Sequence, residues 1–398
     1  MARGNPPAGL GACEAGLPWN DDPAVLGLGC CTSNRPMFSR EEVAFVEPLR
    51  ILFVGHLTPY LTTRARLDAF RNLGHSVESI DMADALSSDY AFIQRLNHWS
   101  LLTPQVFAFN RTLLDTARRR DFQVIWIEKG TFVFPRVAKA LKALPGVILV
   151  YHNTDDWKAK TSIFHGLHWR FLLRTVDLYD VHITSNIHNV REFRERGLPH
   201  VHHMELCANE AIVHPGELSQ AERAEYGGAI GFIGHHELTT ERSLARIVEA
   251  GMPLKIYGGG WHRASANSVL RDALQHRFVM GDDYAKAITS FDINIGIVSV
   301  LNRNHTASRT FQIPALGAFM LHQRNEVVTG YFREDEEMAF FGSDDELVEK
   351  CRYYLEHPEE RRRIGEAGRR RCIESGYFER DRVREVIPLL EERLRATC

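Results

Sequence analysis

Residues 49–55 read Leu-Arg-Ile-Leu-Phe-Val-Gly, an apolar run that ends in glycine. A run of this kind is typical of a strand buried on both faces of a parallel sheet. Leu67, Phe70 and Leu73 follow at helical spacing, and that pattern stops at Gly74. A buried strand followed by an amphipathic helix predicts an α/β fold with a parallel sheet.

The alternation continues along the chain in two series. The first series predicts strands at 75–80, 122–127, 147–151 and 181–184 and helices at 135–144 and 164–173. The second predicts strands at 229–233, 254–257, 277–280, 293–297 and 319–322 and helices at 240–250, 284–290 and 308–317. Two doubly wound sheets are therefore expected. Helices complete the chain, with a capping box at 343–346, a new helix at Pro358 and a last helix at 380–394.

The stretch 205–228 has little periodicity and contains Pro215, Gly216, Gly227 and Gly228. This pattern indicates a domain boundary. We divide the chain into a flexible extension at 1–46, a first domain at 47–210, a second domain at 228–378 and a closing helix at 379–398. Two such domains would face each other across a cleft, lined by the carboxyl ends of their strands.

The composition of the chain narrows the range of possible functions. The net charge of -3 gives no overall attraction to nucleic acid, so we expect no nucleic-acid partner. Because the sequence has no run of about 18 or more apolar residues, no membrane span is expected. The 7 cysteines are scattered without a C-x-x-C pair, which favours reduced thiols in a cytoplasmic protein.

Several catalytic motifs are missing from the sequence. It contains no Walker phosphate loop, no G-x-G-x-x-G after a strand, no G-x-S-x-G and no H-E-x-x-H. The pairs His202-His203 and His235-His236 are adjacent, and neighbours on a strand point to opposite faces. We therefore predict no metal site.

The ends of the second-domain strands carry the features that suggest a ligand. Gly234 follows one strand, and Gly258, Gly259 and Gly260 follow another that ends at Tyr257. Glycines at these ends would let a ligand approach the backbone, although tight turns alone could also require them.

A polar segment, 302–312, leads into the helix predicted from Ser308. A helix N-terminus offers unpaired N–H groups and a partial positive charge, so a diphosphate could bind there. Arg309 opposes the helix dipole in the first turn, which is favourable if an anion lies beside it; the alternative is a solvent-exposed arginine.

The stretch 308–321, Ser-Arg-Thr-Phe-Gln-Ile-Pro-Ala-Leu-Gly-Ala-Phe-Met-Leu, resembles the CgeB-like glycosyltransferases of the GT-B class, family 1 type. Further likeness lies at 151–156, 231–234, 256–261, 344–350, 357–360 and 364–369, and it spans roughly residues 50 to 380. The resemblance implies two Rossmann-like domains with parallel sheets facing a cleft. It also implies an acceptor in the first domain, an NDP-sugar donor in the second, no essential metal and, in the wider class, retention of anomeric configuration.

One departure from that family concerns two acidic positions. Related proteins have a glutamate at the position of Gln312, where it is thought to hold the donor ribose, and an acidic residue at Asn304. An amide accepts less well from a diol than a carboxylate does. An altered donor preference or a weakened activity would follow, and we expect activity to be retained. The expected donor-binding residues are Gly234, Tyr257, Gly258, Gly259, Gly260, His305, Ser308, Arg309, Thr310 and Gln312.

The acceptor side is expected at the strand ends of the first domain. His56 and either Asp155 or Asp156 are the candidates for a catalytic base, because proton removal needs a basic side chain near the acceptor. A histidine satisfied by its own loop, and a helix-capping aspartate, are the alternatives. Lys129 could contact phosphate or remain solvated.

Other functions remain open at this point. The same architecture would serve a nucleotide-sugar epimerase or a phosphorylase, and the missing carboxylates would also fit a non-catalytic nucleotide-binding or scaffold protein. The sequence does not define the acceptor, the nucleotide base or the oligomeric state.

Overall fold

Two parallel β-sheets form the framework of the protein in a computed structural model, which describes residues 47–87, 101–158, 169, 172–264 and 268–397. The first sheet has the strand order β2-β1-β3-β4-β5-β6. Its strands are β1 (Arg50–Gly55), β2 (Ser76–Asp81), β3 (Val124–Glu128), β4 (Ile148–Asn153), β5 (Val181–Thr184) and β6 (Val201–His203).

The second sheet repeats this topology with the strand order β11-β10-β9-β7-β8. Its strands are β7 (Gly228–Ile233), β8 (Leu254–Tyr257), β9 (Phe291–Gly296), β10 (Met320–Gln323) and β11 (Ala339–Phe341). In both sheets the strand order reverses beside the first strand of the series. Ligands of doubly wound sheets bind at such a reversal, at the carboxyl ends of the strands.

Helices connect the strands and cover the sheets. They are α1 (Thr62–Asn72), α2 (Met82–Ala85), α3 (Pro104–Arg119), α4 (Pro135–Lys142), α5 (Ile187–Glu195), α6 (Gln220–Tyr226), α7 (Leu238–Glu249), α8 (Asp282–Ser290), α9 (Ser308–Ala315), α10 (Glu326–Tyr331), α11 (Asp344–Glu356), α12 (Pro358–Glu374) and α13 (Glu379–Arg395). None of the helices within the described ranges combines the length and the apolar character that crossing a membrane requires.

Alternating side chains of β1 show how both faces of the first sheet are buried. Ile51 and Phe53 pack in a cluster that includes residues of α1 and α13, whereas Leu52 and Val54 pack on the opposite face with residues of α3 and α4. All four are fully buried. Because successive strand residues point to opposite faces, an uninterrupted apolar run gives a sheet covered on both sides. The predicted fold class is confirmed.

The chain crosses between the two sheets twice. One crossing follows β6, and the other precedes α13, whose residues Val383, Ile387 and Leu390 pack onto the first sheet. The crossings are bonded to each other, since Ala208 N–H donates to Tyr377 O and Glu379 N–H donates to Ala208 O. The last helix therefore belongs to the core of the first sheet.

The predicted elements correspond closely to the observed ones, with a few differences. The strand predicted at 277–280 is wrong: this segment lies beside β8, but its side chains Phe278 and Met280 are 64% and 45% exposed and it forms no ladder. Helix α6, which was not predicted, lies within the stretch interpreted as a domain boundary, and its capping box joins Ser219 and Glu222. At the capping box predicted at 343–346, Ser343 accepts from Glu346 N–H, but the Glu346 side chain accepts from Gly342 N–H instead of completing the box. The extension at 1–46 and most of the helix predicted at 164–173 lie outside the described residues.

Candidate functional site

The order reversal of the second sheet brings the carboxyl ends of β7 and β9 together. The loop after β7 begins at Gly234, and the loop after β9 runs through 297–307 into α9. Most of the donor-binding residues predicted from the sequence lie on these two loops and in the first turns of α9. The fold therefore gathers residues that are about 75 positions apart in the chain at one edge of the sheet.

Arg309 joins the two strand ends. Its Nη1 donates to Ile233 O at 2.9 Å and its Nη2 donates to Ile297 O at 2.7 Å. The guanidinium carbon also lies 5.3 Å from the centre of the Phe232 ring. Among the described residues, no carboxylate lies within ion-pairing distance of Arg309. Burial lowers the pKa of Arg309, and the charge of Glu237, which lies beyond ion-pairing distance, opposes this only in part. Arginine stays charged, so the site contains a positive charge that no carboxylate of the described residues contacts.

The start of α9 adds backbone donors beside this charge. Its N-cap residue, Ala307, has no side chain that could accept from the first turn. Thr310 Oγ1 accepts from Ala307 N–H at 3.1 Å and lies 3.0 Å from His322 Nε2, so its hydroxyl is used internally. Within the described chain, no acceptor takes a hydrogen bond from the backbone N–H of Ser308 or Arg309. The helix start is thus open to an anion.

The predicted glycines pack two loops against each other. A Cβ on Gly258 would lie 2.2 Å from Gly234 O, and one on Gly234 would lie 2.7 Å from Arg309 Nη1. Gly258 and Gly260 have φ of 126° and 80°, which other residues rarely adopt. Glycine is therefore required here for loop packing next to the arginine. Phe278 borders the same loops, because a Cβ on Gly259 would lie 2.6 Å from its ring.

Three other predicted donor residues are occupied by contacts within the protein. The Tyr257 hydroxyl donates to the carbonyls of Glu225 and Tyr226, on the side of α6, and burial raises its pKa. Gln312 is 4% exposed and bonds to the backbone between the two sheets. The His305 ring stacks on His188 of α5, with centroids 5.5 Å apart.

The acceptor candidates lie at the corresponding edge of the first sheet. His56 directly follows β1 and is exposed. Lys129 follows β3 with φ of 61°, and its Nζ lies 2.5 Å from Asp155 Oδ2. The fold thus brings His56, Lys129 and Asp155 to the strand ends that border the cleft.

Asp156 is held by a residue that sequence analysis did not identify. Arg303, in the loop after β9, donates from Nε and Nη2 to the two oxygens of Asp156 at 2.5 and 2.7 Å. Glu192 of α5 accepts from the same guanidinium at 3.2 Å, and these carboxylates raise the pKa of Arg303. Asp156 is 1% exposed, so the pair connects the two halves of the protein through a buried carboxylate. No spacing in the sequence indicates it.

A second unpredicted group lies beneath the first strand ends. Arg66 Nη1 lies 2.8 Å from Glu128 Oε1, and its Nη2 lies 3.2 Å from Glu379 Oε1, at the start of α13. Burial alone would raise the pKa of Glu128, but Arg66 and His152 lower it to about 2. Burial raises the pKa of Glu379 to about 7 despite Arg66. This network fixes α13 to the cleft end of β3.

Known proteins resemble the chain in part of its sequence and in its fold. Residues 239–387 match the model of a family described as glycosyl transferase-like. A comparison with curated proteins gives no match. Similar solved structures include HepE of Anabaena in complex with UDP and glucose, at a TM-score of 0.60 and 11% identity, covering 86% of this chain and 100% of HepE.

Two further structures show the same likeness. Sucrose-phosphate synthase of Thermosynechococcus elongatus has a TM-score of 0.58 at 11% identity, covering 89% of this chain and 100% of its own. A glycosyltransferase of Rickettsia africae has a TM-score of 0.56 at 11% identity, covering 88% and 100%. At such identities the likeness defines the fold, which is GT-B, as the sequence predicted.

Proposed function

We propose that this GT-B protein is a glycosyltransferase of the CgeB-like type, which moves a sugar from an NDP-sugar to an acceptor. The observation that carries the proposal is the Arg309 guanidinium at the order reversal of the second sheet, which two backbone carbonyls orient and no carboxylate of the described residues contacts. The glycosyl transferase-like match at 239–387 includes β9 and Arg309, and HepE, which has the same fold, was solved with UDP and glucose. A hexose is the proposed sugar class.

The diphosphate of the donor would lie between Arg309 and the N–H groups of Ser308 and Arg309. Transfer of the sugar leaves a nucleoside diphosphate that carries the bonding electrons, and a fixed positive charge stabilises it. Charge-assisted hydrogen bonds from a guanidinium are about twice as strong as neutral ones. The exposed ring of Phe278, beside Gly259, offers a face on which the nucleobase can stack.

On the acceptor side, His56 is the proposed catalytic base if the reaction inverts configuration. Asp156 is bound to Arg303 through both oxygens, and Asp155 is bound to Lys129. Their negative charges are therefore already balanced, whereas His56 is exposed and histidine is the side chain that most often takes a proton in general-base catalysis. Asp155 and Asp156 would then orient the acceptor loop.

We also propose that the reaction needs no metal ion, because Arg309 and the start of α9 already supply positive charge at the diphosphate. Excess EDTA should leave the rate of donor turnover unchanged. A loss of turnover that Mg²⁺ or Mn²⁺ restores would contradict this part of the proposal.

A donor panel tests the function itself. UDP, GDP and ADP, and their glucose conjugates, are titrated against the full chain by calorimetry, and the bound conjugate is followed by NMR with candidate acceptors. A glycosyltransferase releases the nucleoside diphosphate and forms a glycoside or, slowly, free sugar. Conversion to an epimeric conjugate would indicate an epimerase, and the absence of binding would indicate a scaffold; either result refutes the proposal.

A further inference from the structure

The side-chain amide of Gln312 fastens α9 to the segment that joins the two sheets. Its Oε1 accepts from Asn209 N–H at 2.7 Å, and its Nε2 donates to Ile212 O at 3.2 Å. The partners fix the orientation of the amide, because a backbone N–H only donates and a carbonyl only accepts. Both bonds are shielded from water, since Gln312 is 4% exposed.

The same contacts continue to the acceptor side of the cleft. The Asn209 side chain donates from Nδ2 to Tyr60 O at 3.2 Å, and its Oδ1 accepts from Ala211 N–H at 2.9 Å. Tyr60 belongs to the loop after β1 that carries His56, and a Cβ on Gly281 would lie 2.5 Å from its ring. Hydrogen bonds therefore run from α9 through Asn209 to the acceptor-side loop.

We propose that Gln312 is a positioning residue, whose amide holds α9 and Arg309 in register with the joining segment and the His56 loop. It does not contact the ribose of the donor. The inference rests on the proposed function only for the identity of the ligand that Arg309 binds.

The chemistry of the two partners, one donor and one acceptor, favours an amide over a carboxylate at this position. A carboxylate could accept from Asn209 N–H, but its second oxygen would face Ile212 O, and two acceptors repel each other. Burial would favour the protonated form of such a carboxyl, which can donate to the carbonyl. A ribose contact requires the opposite, because a carboxylate accepts from both hydroxyls of a diol and an amide does not.

The experiment compares Gln312→Glu with the wild type in the full chain. The dissociation constants for UDP, GDP and ADP and the melting temperature are measured at about pH 5.5 and about pH 8. The control is Gln220→Glu, the same exchange at an exposed position at the start of α6. Gln312→Met removes both hydrogen bonds without adding a charge. It therefore separates the effect of losing the hydrogen bonds from the effect of the added charge.

A positioning role predicts that Gln312→Glu binds nucleotide more weakly than the wild type at about pH 8, by about tenfold, and recovers most of this at about pH 5.5. Gln312→Met should weaken binding equally at both pH values, and Gln220→Glu should not. Binding by Gln312→Glu as tight as in the wild type at about pH 8 would overturn the proposal in favour of a ribose contact. A lower melting temperature with an unchanged dissociation constant would reduce Gln312 to a structural role.

Failure of the proposed function gives a different result. If the wild type binds none of the three nucleotides, that function is refuted, and the positioning role with it. The two hydrogen bonds of the Gln312 amide are still tested, because the melting temperature of Gln312→Glu, relative to the wild type, should fall as the pH rises. A pH-independent difference would show that the two backbone contacts do not constrain the protonation of this side chain.

Discussion

At the scale of single residues, Arg309 is the side chain on which the proposed donor site depends. Two backbone carbonyls orient its guanidinium but do not neutralise its charge, and burial removes part of its hydration. A half-buried charge that no carboxylate contacts is unfavourable, so a bound anion should stabilise the protein as well as occupy the site.

Replacing Arg309 tests this directly. We expect Arg309→Met to raise the dissociation constant for the preferred nucleoside diphosphate by about 10- to 100-fold, since a hydrogen bond to a charged group contributes about 1.5–3 kcal/mol. Arg309→Lys should lose less affinity, because lysine retains the positive charge but not the planar guanidinium with its parallel donors. Calorimetry measures both, with the exposed Arg352→Met as control. Equal affinity in all four proteins would exclude Arg309 from the site.

Glu379 makes a second prediction at this scale. Its folded pKa of about 7 lies above its ordinary value of 4.5, so its ionisation opposes folding. Stability is full below pH 4.5 and falls as the pH rises towards 7. Relative to Glu379→Gln, the wild type should therefore melt progressively lower between about pH 5 and pH 8. Thermal unfolding measures this, with the exposed Glu349→Gln as control. A constant difference between the proteins would contradict it.

At the scale of elements, the two glycine loops of the second sheet must fit together beside α9. Gly258 combines a positive φ with a backbone atom 2.2 Å from its Cβ position, whereas Gly251 has a φ of 79° and open space around it. A comparison of substitutions at these two glycines therefore separates the cost of backbone strain from the cost of steric collision.

We expect Gly251→Ala to cost about 1 kcal/mol of unfolding free energy and to leave nucleotide binding intact. Gly258→Ala should cost about 3 kcal/mol or more, because the loops must also move apart, and it should weaken binding. Denaturant unfolding and calorimetry on both variants measure the difference. Equal costs would mean that the loop contact is not tight.

Most elements could be predicted from the sequence, because buried parallel strands such as β1 and β4 are continuous apolar runs. The wrong strand at 277–280 shows the limit of that pattern: Arg-Phe-Val-Met has strand-like composition, but Phe278 and Met280 project outward beside the glycine loops. Short elements such as β6 and β11, with three residues each, are too brief to show a periodicity.

At the scale of the whole molecule, side chains from both halves meet across the cleft. Arg303 binds Asp156, Asn186 donates to Asn302 O at 2.8 Å, and Thr306 Oγ1 donates to Glu205 at 2.6 Å. These contacts hold the loop before α9 against the first sheet. Exchange of the proposed donor through a cleft held in this way would require the contacts to open.

Arg303→Met should favour an open arrangement. Without Arg303 the buried Asp156 carboxylate has no cationic partner in the closed form and keeps only the hydrogen bond from Lys158 N–H, which costs about 3–5 kcal/mol, and opening allows water to reach it. Small-angle X-ray scattering should then give a larger radius of gyration than for the wild type. Arg324→Met, which breaks an exposed pair within the second half, is the control. An unchanged scattering profile with full stability would show that the pair does not hold the cleft.

These long-range contacts explain why the site was only partly predicted. The positions of Arg309 and the glycines follow from strand ends, which the sequence reveals. The pairing of Arg303 with Asp156, 147 positions away, and of Gln312 with Asn209 depends on how the two sheets are joined. A single sequence has no periodic signal for such contacts, so the hydrogen-bond partners of Gln312 and Asp156 could not be predicted.

The most direct test of the central claim is a crystal structure of the full chain with its preferred nucleoside diphosphate. We predict diphosphate oxygens within about 3 Å of the Arg309 guanidinium and of the backbone N–H groups at the start of α9. A nucleotide bound elsewhere, or a diphosphate that leaves Arg309 without an anionic contact, would contradict the account.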